Sequence, residues 1–156
     1  MKKPLTAMLG LLLIIGMLPG TASVMPEALA AQSHPHVYDA YRLLKRSQFV
    51  LRHACRKLGG HRAAANQQIH LALNEIQAAI AMDHGTLPAI SESAEIEIAP
   101  GQRHPYIHDV LRQCNEAKAQ LTAAAKDFGG HRSKALRYVD AAIIQLQAAV
   151  QEPPCA

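Results

Sequence analysis

His34-Pro35 and Gly59-Gly60-His61-Arg62 return, with nothing inserted between them, as His104-Pro105 and Gly129-Gly130-His131-Arg132. The constant offset of 70 positions aligns residues 34–80 with residues 104–150, and Asp39/Asp109, Arg42/Arg112 and Leu51/Leu121 match within it. Ala65/Ala135, Ala72/Ala142 and Gln77-Ala78-Ala79 against Gln147-Ala148-Ala149 carry the match to the end of each copy. Two copies of this length read as a duplicated supersecondary motif, because a solenoid needs three or more units.

Within each copy the apolar spacing is helical. Val37, Tyr41, Leu44, Leu51, Ala54 and Leu58 recur at steps of three, four or seven, and Ile107, Leu111, Cys114, Leu121, Ala124 and Phe128 repeat the pattern. It restarts after the glycines with Ile69, Ala72, Leu73, Ile76, Ala79 and Ile80, echoed by Val139, Ala142, Ile143, Leu146, Ala149 and Val150. Alanine and glutamine favour the helix, and the many alanines in the apolar stripe suit close helix-to-helix approach.

Pro35 and Pro105 fit the first helical position, which makes His34 and His104 the expected N-caps. Gly59 and Gly129 fall just past the last apolar residue, where a left-handed residue closes a helix, with Gly60 and Gly130 following. Each copy is therefore a helical hairpin with first helices of about 20 residues, about 30 Å long. One hairpin leaves half of its apolar surface wet, so two must pack together. The expected fold is all-α, a four-helix bundle of two duplicated hairpins.

The linker, residues 81–103, contains Gly85, Pro88, Pro100 and Gly101 and is not helical throughout. Its length fits an up-down-up-down order or a crossover. The expectation adopted is the former, which gathers His34, His36, His84, His104 and His108 at the open end and puts His61 beside His131 at the turn end.

Residues 1–30 read as a signal peptide: Lys2-Lys3 precede an apolar run from Leu9 to Leu18, and Ala28-Leu29-Ala30 offers a small-x-small cleavage site. The run is too short for a membrane span of about 20 residues. The expected product is periplasmic or secreted, without a stable span, and folds over residues 31–156 with a tail from 151. Losing Lys2, Lys3 and Glu27 leaves a net charge of +3, too mild for a nucleic-acid partner. The distribution is uneven. Arg42, Lys45, Arg46, Arg52, Arg56, Lys57 and Arg62 face only Asp39 within residues 34–62, whereas Glu75, Asp83, Glu92, Glu95 and Glu97 follow. Internal compensation by the linker explains this most simply, and an anionic ligand on the first helix is the sharper alternative.

Histidine is the residue type that can carry chemistry, and all nine follow the leader. His34 with His36, His104 with His108, and the turn residues His61 and His131 are the candidate metal ligands, since neutral imidazoles suit Cu, Zn or Ni. Asp39, Asp83 and Asp109 are possible oxygen donors. The competing reading is structural: imidazoles at helix ends, and Arg62 and Arg132 bonding carbonyls left open at a neighbouring helix's C-terminus. His53 and His70 fall off the apolar stripes and read as surface residues.

Three cysteines in an exported chain allow one bridge and one leftover thiol. Cys114 to Cys155 is the expected pair, with Cys55 a small core-flanking residue. Enzyme signatures are missing: no Gly-x-Ser-x-Gly, no phosphate-cradling glycine loop, no His-Glu-x-x-His, no Glu-x-x-His and no Cys-x-x-Cys-His. The chain is expected not to be an enzyme.

The His-Pro helix start, the paired hairpins and Asp127-Phe128-Gly129-Gly130-His131-Arg132 resemble a group of small uncharacterised bacterial periplasmic helical-hairpin repeat proteins. More loosely they resemble the small histidine-rich periplasmic metal-binding proteins. The resemblance implies an exported bundle that binds divalent transition metals through its helix-end histidines. The chain departs from the histidine-rich group in having few histidines along its helix faces, which disfavours multi-site metal buffering. The alternative is a structural or protein-interaction module of the envelope without a metal site, working alone or as a homo-oligomer.

Overall fold

The four apolar stripes are realised as four helices: α1 Pro35–His53, α2 His61–Met82, α3 Pro105–Ala123 and α4 His131–Gln151. The computed structural model describes residues 34–90 and 104–153. Among these there is no strand, and the helices form an all-α four-helix bundle. The expected leader, the acidic linker residues Glu92, Glu95 and Glu97, and Cys155 lie outside the described residues.

The stripes meet in one core. Every apolar residue named from the spacing is buried except Leu111 and Val150, which pack against the core from its edge. The α1 and α3 stripes are wider than the spacing suggested, taking in Tyr38, Ala40, Val50, Val110 and Ala117. Each of these helices touches two neighbours, so a second row of side chains is covered.

Helix ends report direction. His34 before α1 meets Asp83 after α2 and packs edge-on against Phe128 past the end of α3. At the opposite end, His61 at the start of α2 meets Gln145 and Glu152 towards the end of α4. Helices α1 and α4 thus each run antiparallel to both α2 and α3. The order is up-down-down-up, which corrects the expected up-down-up-down arrangement. Since α2 finishes at one end of the bundle and α3 begins at the other, the linker joins opposite ends.

The physical reason lies in the alanines. Ala65, Ala72 and Ala79 on α2, and Ala135, Ala142 and Ala149 on α4, repeat every seventh residue and are all buried. Small residues at that interval let two helices approach closely along their length. The broadest contacts are α2 with α4, then α1 with α3. In an up-down-up-down square α2 and α4 would sit on a diagonal. Here the diagonal pairs, α1 with α4 and α2 with α3, make no contact.

The first helix of each hairpin stops earlier than the apolar spacing implies. Helix α1 ends at His53 and α3 at Ala123, and Ala54 and Ala124 are extended, with ψ of 151° and 128°. Leu58 and Phe128, expected in the last helical turn, are instead buried from the loop. The four glycines lead into the second helices, with φ of +55° and +83° at Gly59 and Gly60 and +64° and +92° at Gly129 and Gly130. A side chain is strained in that region, which is why glycine stands there.

A buried polar line crosses the α1–α3 contact. The Ser47 hydroxyl lies 2.9 Å from Leu43 O and 3.0 Å from Gln113 Oε1, while Gln113 Nε2 donates to Asp109 Oδ2 at 2.8 Å. Asp109 accepts in turn from Arg112. That contact and the neighbouring Glu116 raise the Arg112 guanidinium above its ordinary value. Ser47 and Gln113 have Ala117 and Leu43 as their counterparts at the offset of 70, so this line belongs to one register only. Sliding α1 past α3 would leave buried polar atoms without partners, at about 1–3 kcal/mol each.

Candidate functional site

The six candidate metal-ligating histidines are divided between the two ends. His34, His36 and His131 stand at one, and His61, His104 and His108 at the other, so neither expected gathering occurs. His61 and His131, expected side by side, are separated by the antiparallel packing of α2 and α4.

Most of these imidazoles already hold a partner. His34 Nε2 contacts the Asp83 carboxylate, which also accepts from Lys126 at 3.1 Å. His104 Nε2 donates to the Glu152 carbonyl at 2.9 Å, which places the proton on that nitrogen. His36 Nδ1 is 2.6 Å from Gln120 Oε1. His61 Nδ1 is 2.9 Å from Gln145 Oε1, and His131 Nδ1 is 2.6 Å from Glu75 Oε2. His108 is half-buried in the first turn of α3. His34 and His104 occupy the N-cap positions, yet neither side chain caps its own helix. They close the hairpin by binding the end of the other helix.

Among the described residues, no three His, Cys, Asp or Glu side chains converge as a cation site requires. Asp39 and Asp109, possible oxygen donors, are each bonded to an arginine three residues on.

The arginines follow the structural reading. Arg62 Nη1 donates to Leu51 O at 2.9 Å, and Arg132 Nη1 reaches Leu121 O at 3.3 Å and Ala124 O at 2.9 Å. These carbonyls are released where α1 and α3 stop, so the cation stands at the negative end of the helix. Asp127 accepts from the Ser133 hydroxyl at 2.6 Å and from Ser133 N at 3.0 Å, and those bonds hold its carboxyl below the ordinary value.

Cys114 is a free thiol buried in the core, and burial pushes it up to about 12. The expected Cys114–Cys155 bridge is therefore corrected: Cys55 is the disulfide-bonded cysteine. The reason is position. Cys114 points into the α1–α3 contact beside Ser47, whereas Cys55 lies half-buried in the α1–α2 turn.

One cluster was not singled out from the sequence. Arg52 Cζ lies 5.0 Å over the Phe49 ring, the His53 ring is 5.2 Å from Phe49, and Tyr106 is 6.2 Å from His53. Arg56 and Lys57 are exposed just beyond. Phe49, Arg52 and His53 have the i, i+3, i+4 spacing of one helix face, a legible signal, and Arg56 follows in the turn past the helix end. Beside them an open hollow of about 250 Å³ is lined by Leu51, Arg52, Arg62, Ala63 and Asn66.

Arg42 and Arg46, on the basic helix face considered for an anionic ligand, line a different groove. It also holds Asp39 and Glu116, which offset their charge. No described helix is long and apolar enough to cross a membrane. Comparison with protein-family models, with curated proteins and with solved structures gives no match.

Proposed function

We propose that the chain is an exported, non-catalytic binding module: a duplicated helical hairpin that presents a rigid surface to a partner and does not depend on a metal. One observation carries this reading. The repeated His and Arg residues, the best candidates for chemistry, have their polar atoms directed at helix ends and neighbouring helices of the same bundle. Their repetition is then explained by the fold they close. Binding of Cu, Zn or Ni would require imidazoles at one end of the bundle to leave those bonds and turn towards each other.

Metal titration tests the proposal. With Cu²⁺, Zn²⁺ and Ni²⁺ in modest excess, the melting temperature and the histidine NMR shifts are expected to match those in chelator. A rise of several degrees with stoichiometric shifts at His34, His61, His104 or His131 would restore the metal reading.

A further inference from the structure

The two turns of the bundle are built from equivalent positions but closed by different chemistry. At the α3–α4 turn Lys126 donates to Asp83 at 3.1 Å, and the same carboxylate meets His34, so an ion pair ties that turn to the segment following α2. At the offset of 70, Arg56 and Pro153 stand in the places of Lys126 and Asp83, and a proline offers no carboxylate. Cys55, the neighbour of Arg56, is disulfide-bonded. Cys114 is a free thiol, so in a chain of three cysteines the partner of Cys55 is Cys155, two residues past Pro153. A covalent bond therefore joins the α1–α2 turn to the segment following α4, as the ion pair joins the equivalent segments at the other end.

The remaining closure is uneven too. Asp127 accepts from the Ser133 hydroxyl and amide, and Arg132 reaches the carbonyls of Leu121, Thr122 and Ala124. The counterparts of Asp127 and Ser133 are Lys57 and Ala63, which supply neither the carboxylate nor the hydroxyl. Arg62 holds Leu51 O. Past α4, the Glu152 carbonyl accepts from His104 at 2.9 Å, and its carboxylate stands 3.7 Å from His61 Nε2 and against Gly59. These contacts converge on one residue, and the bridge beyond it keeps that residue in place.

We propose that the Cys55–Cys155 disulfide is a redox-operated clasp: a dithiol opens it and loosens the α1–α2 turn and the end of α4, while the salt-bridged α3–α4 turn stays closed. Cys55 is half-buried in the turn, and its sulfur accepts from Lys57 N at 3.4 Å, a bond that supports a thiolate and makes Cys55 the better leaving group. One thiolate of the dithiol attacks the Cys155 sulfur, the S–S bond breaks, and Cys55 departs with the electron pair. The second thiol of the reductant then attacks the mixed disulfide, closing its own S–S bond and releasing Cys155. Two electrons and two protons pass to the protein, which now holds two thiols, and the reductant leaves as a disulfide. Cys114 takes no part, because it is buried in the α1–α3 contact and burial keeps it protonated. With no competing thiolate, a disulfide oxidant restores the original pair.

Amide hydrogen exchange of the full chain, oxidised and in dithiothreitol at pH 7 without denaturant, reads this out. On reduction, Cys55 and Cys155 are expected to become alkylatable while Cys114 is not. The amides of Ala54, His61 and Glu152, bonded to Leu51, Leu58 and Ala149 carbonyls, are expected to exchange at least tenfold faster, and those of Ala124 and His131 at an unchanged rate. The Cys55→Ser/Cys155→Ser variant is expected to show the same open pattern without reductant. Reduction that requires urea, equal acceleration at both turns, or a serine variant as slow as the oxidised protein overturns the proposal. The clasp does not rest on the surface-binding reading, so the metal titration and the exchange experiment fail or succeed separately.

Discussion

His131 Nδ1 lies 2.6 Å from Glu75 Oε2, and with the hairpins exchanged the same positions hold His61 and Gln145 at 2.9 Å. Each pair ties the start of one second helix to the body of the other. Glu75→Ala is expected to lower stability by about 1 kcal/mol, the usual net worth of such a bond, and Glu75→Gln by less, because the glutamine reproduces the other pair. Urea unfolding of the two variants checks this. Equal losses would show that the carboxylate charge matters more than the hydrogen bond.

Arg132 serves more released carbonyls than Arg62 does. Arg132→Ala is therefore expected to cost about 1–3 kcal/mol and Arg62→Ala less, since buried acceptors left unmade carry the penalty. Lysine is expected to rescue Arg132 poorly, lacking the fork that reaches two carbonyls together. Thermal melts of Arg132→Lys against Arg132→Ala measure that difference.

Two carboxylates give the fold an acid limit. Asp83 is held below the ordinary carboxylate value chiefly by the hydrogen bond from Lys126, and Asp127 chiefly by that from the Ser133 hydroxyl. A folded-state value below the unfolded one contributes stability above the unfolded value, lost as pH falls through the folded one. Stability is thus expected to decline from about pH 4 downward, with a shallower slope in Asp83→Asn and Asp127→Asn. Melting temperatures between pH 6 and 2.5 test it, and an unchanged slope in both variants would be the contrary result.

Cys114, raised to about 12 and buried, is expected to resist alkylation at pH 8 until the protein unfolds. Cys55 is expected in a bridged peptide under non-reducing conditions, with Cys155 the one other cysteine left in the chain. Reduction should lower stability by about 2–4 kcal/mol. Rapid labelling of Cys114 in the native state would contradict its burial.

The linker carries a topological consequence. Because α2 ends and α3 starts at opposite ends of the bundle, deleting residues 86–101 should leave only residues 83–85 and 102–104 between them, about 20 Å at about 3.3 Å per residue and too little chain to cross about 30 Å. The shortened chain is expected to exchange hairpins between two molecules, and size-exclusion chromatography would show the dimer. A stable monomer would argue against the up-down-down-up order.

Helix identity, hairpin pairing and nearly all of the core were legible in the chain, because period and glycine placement are local properties repeated in two copies. Val37, Leu44, Ile69 and Leu146 could be named as buried without coordinates. So could the bonding of Arg62 and Arg132 to open helix ends. The early stops at His53 and Ala123 were not legible. No proline or glycine marks them, and they arise when Leu58 and Phe128 drop into the core from the loop. Hairpin orientation was equally hidden, since the apolar stripes fit either order. Close contact between the alanine rows of α2 and α4 decided it. That contact sent the histidines to opposite ends, paired them with carboxylates, amides and a carbonyl, and left Phe49, Arg52, His53 and Tyr106 together at one end. Sequence sets which faces are apolar by local spacing; which faces meet depends on how closely they fit, and that exists only between helices already formed.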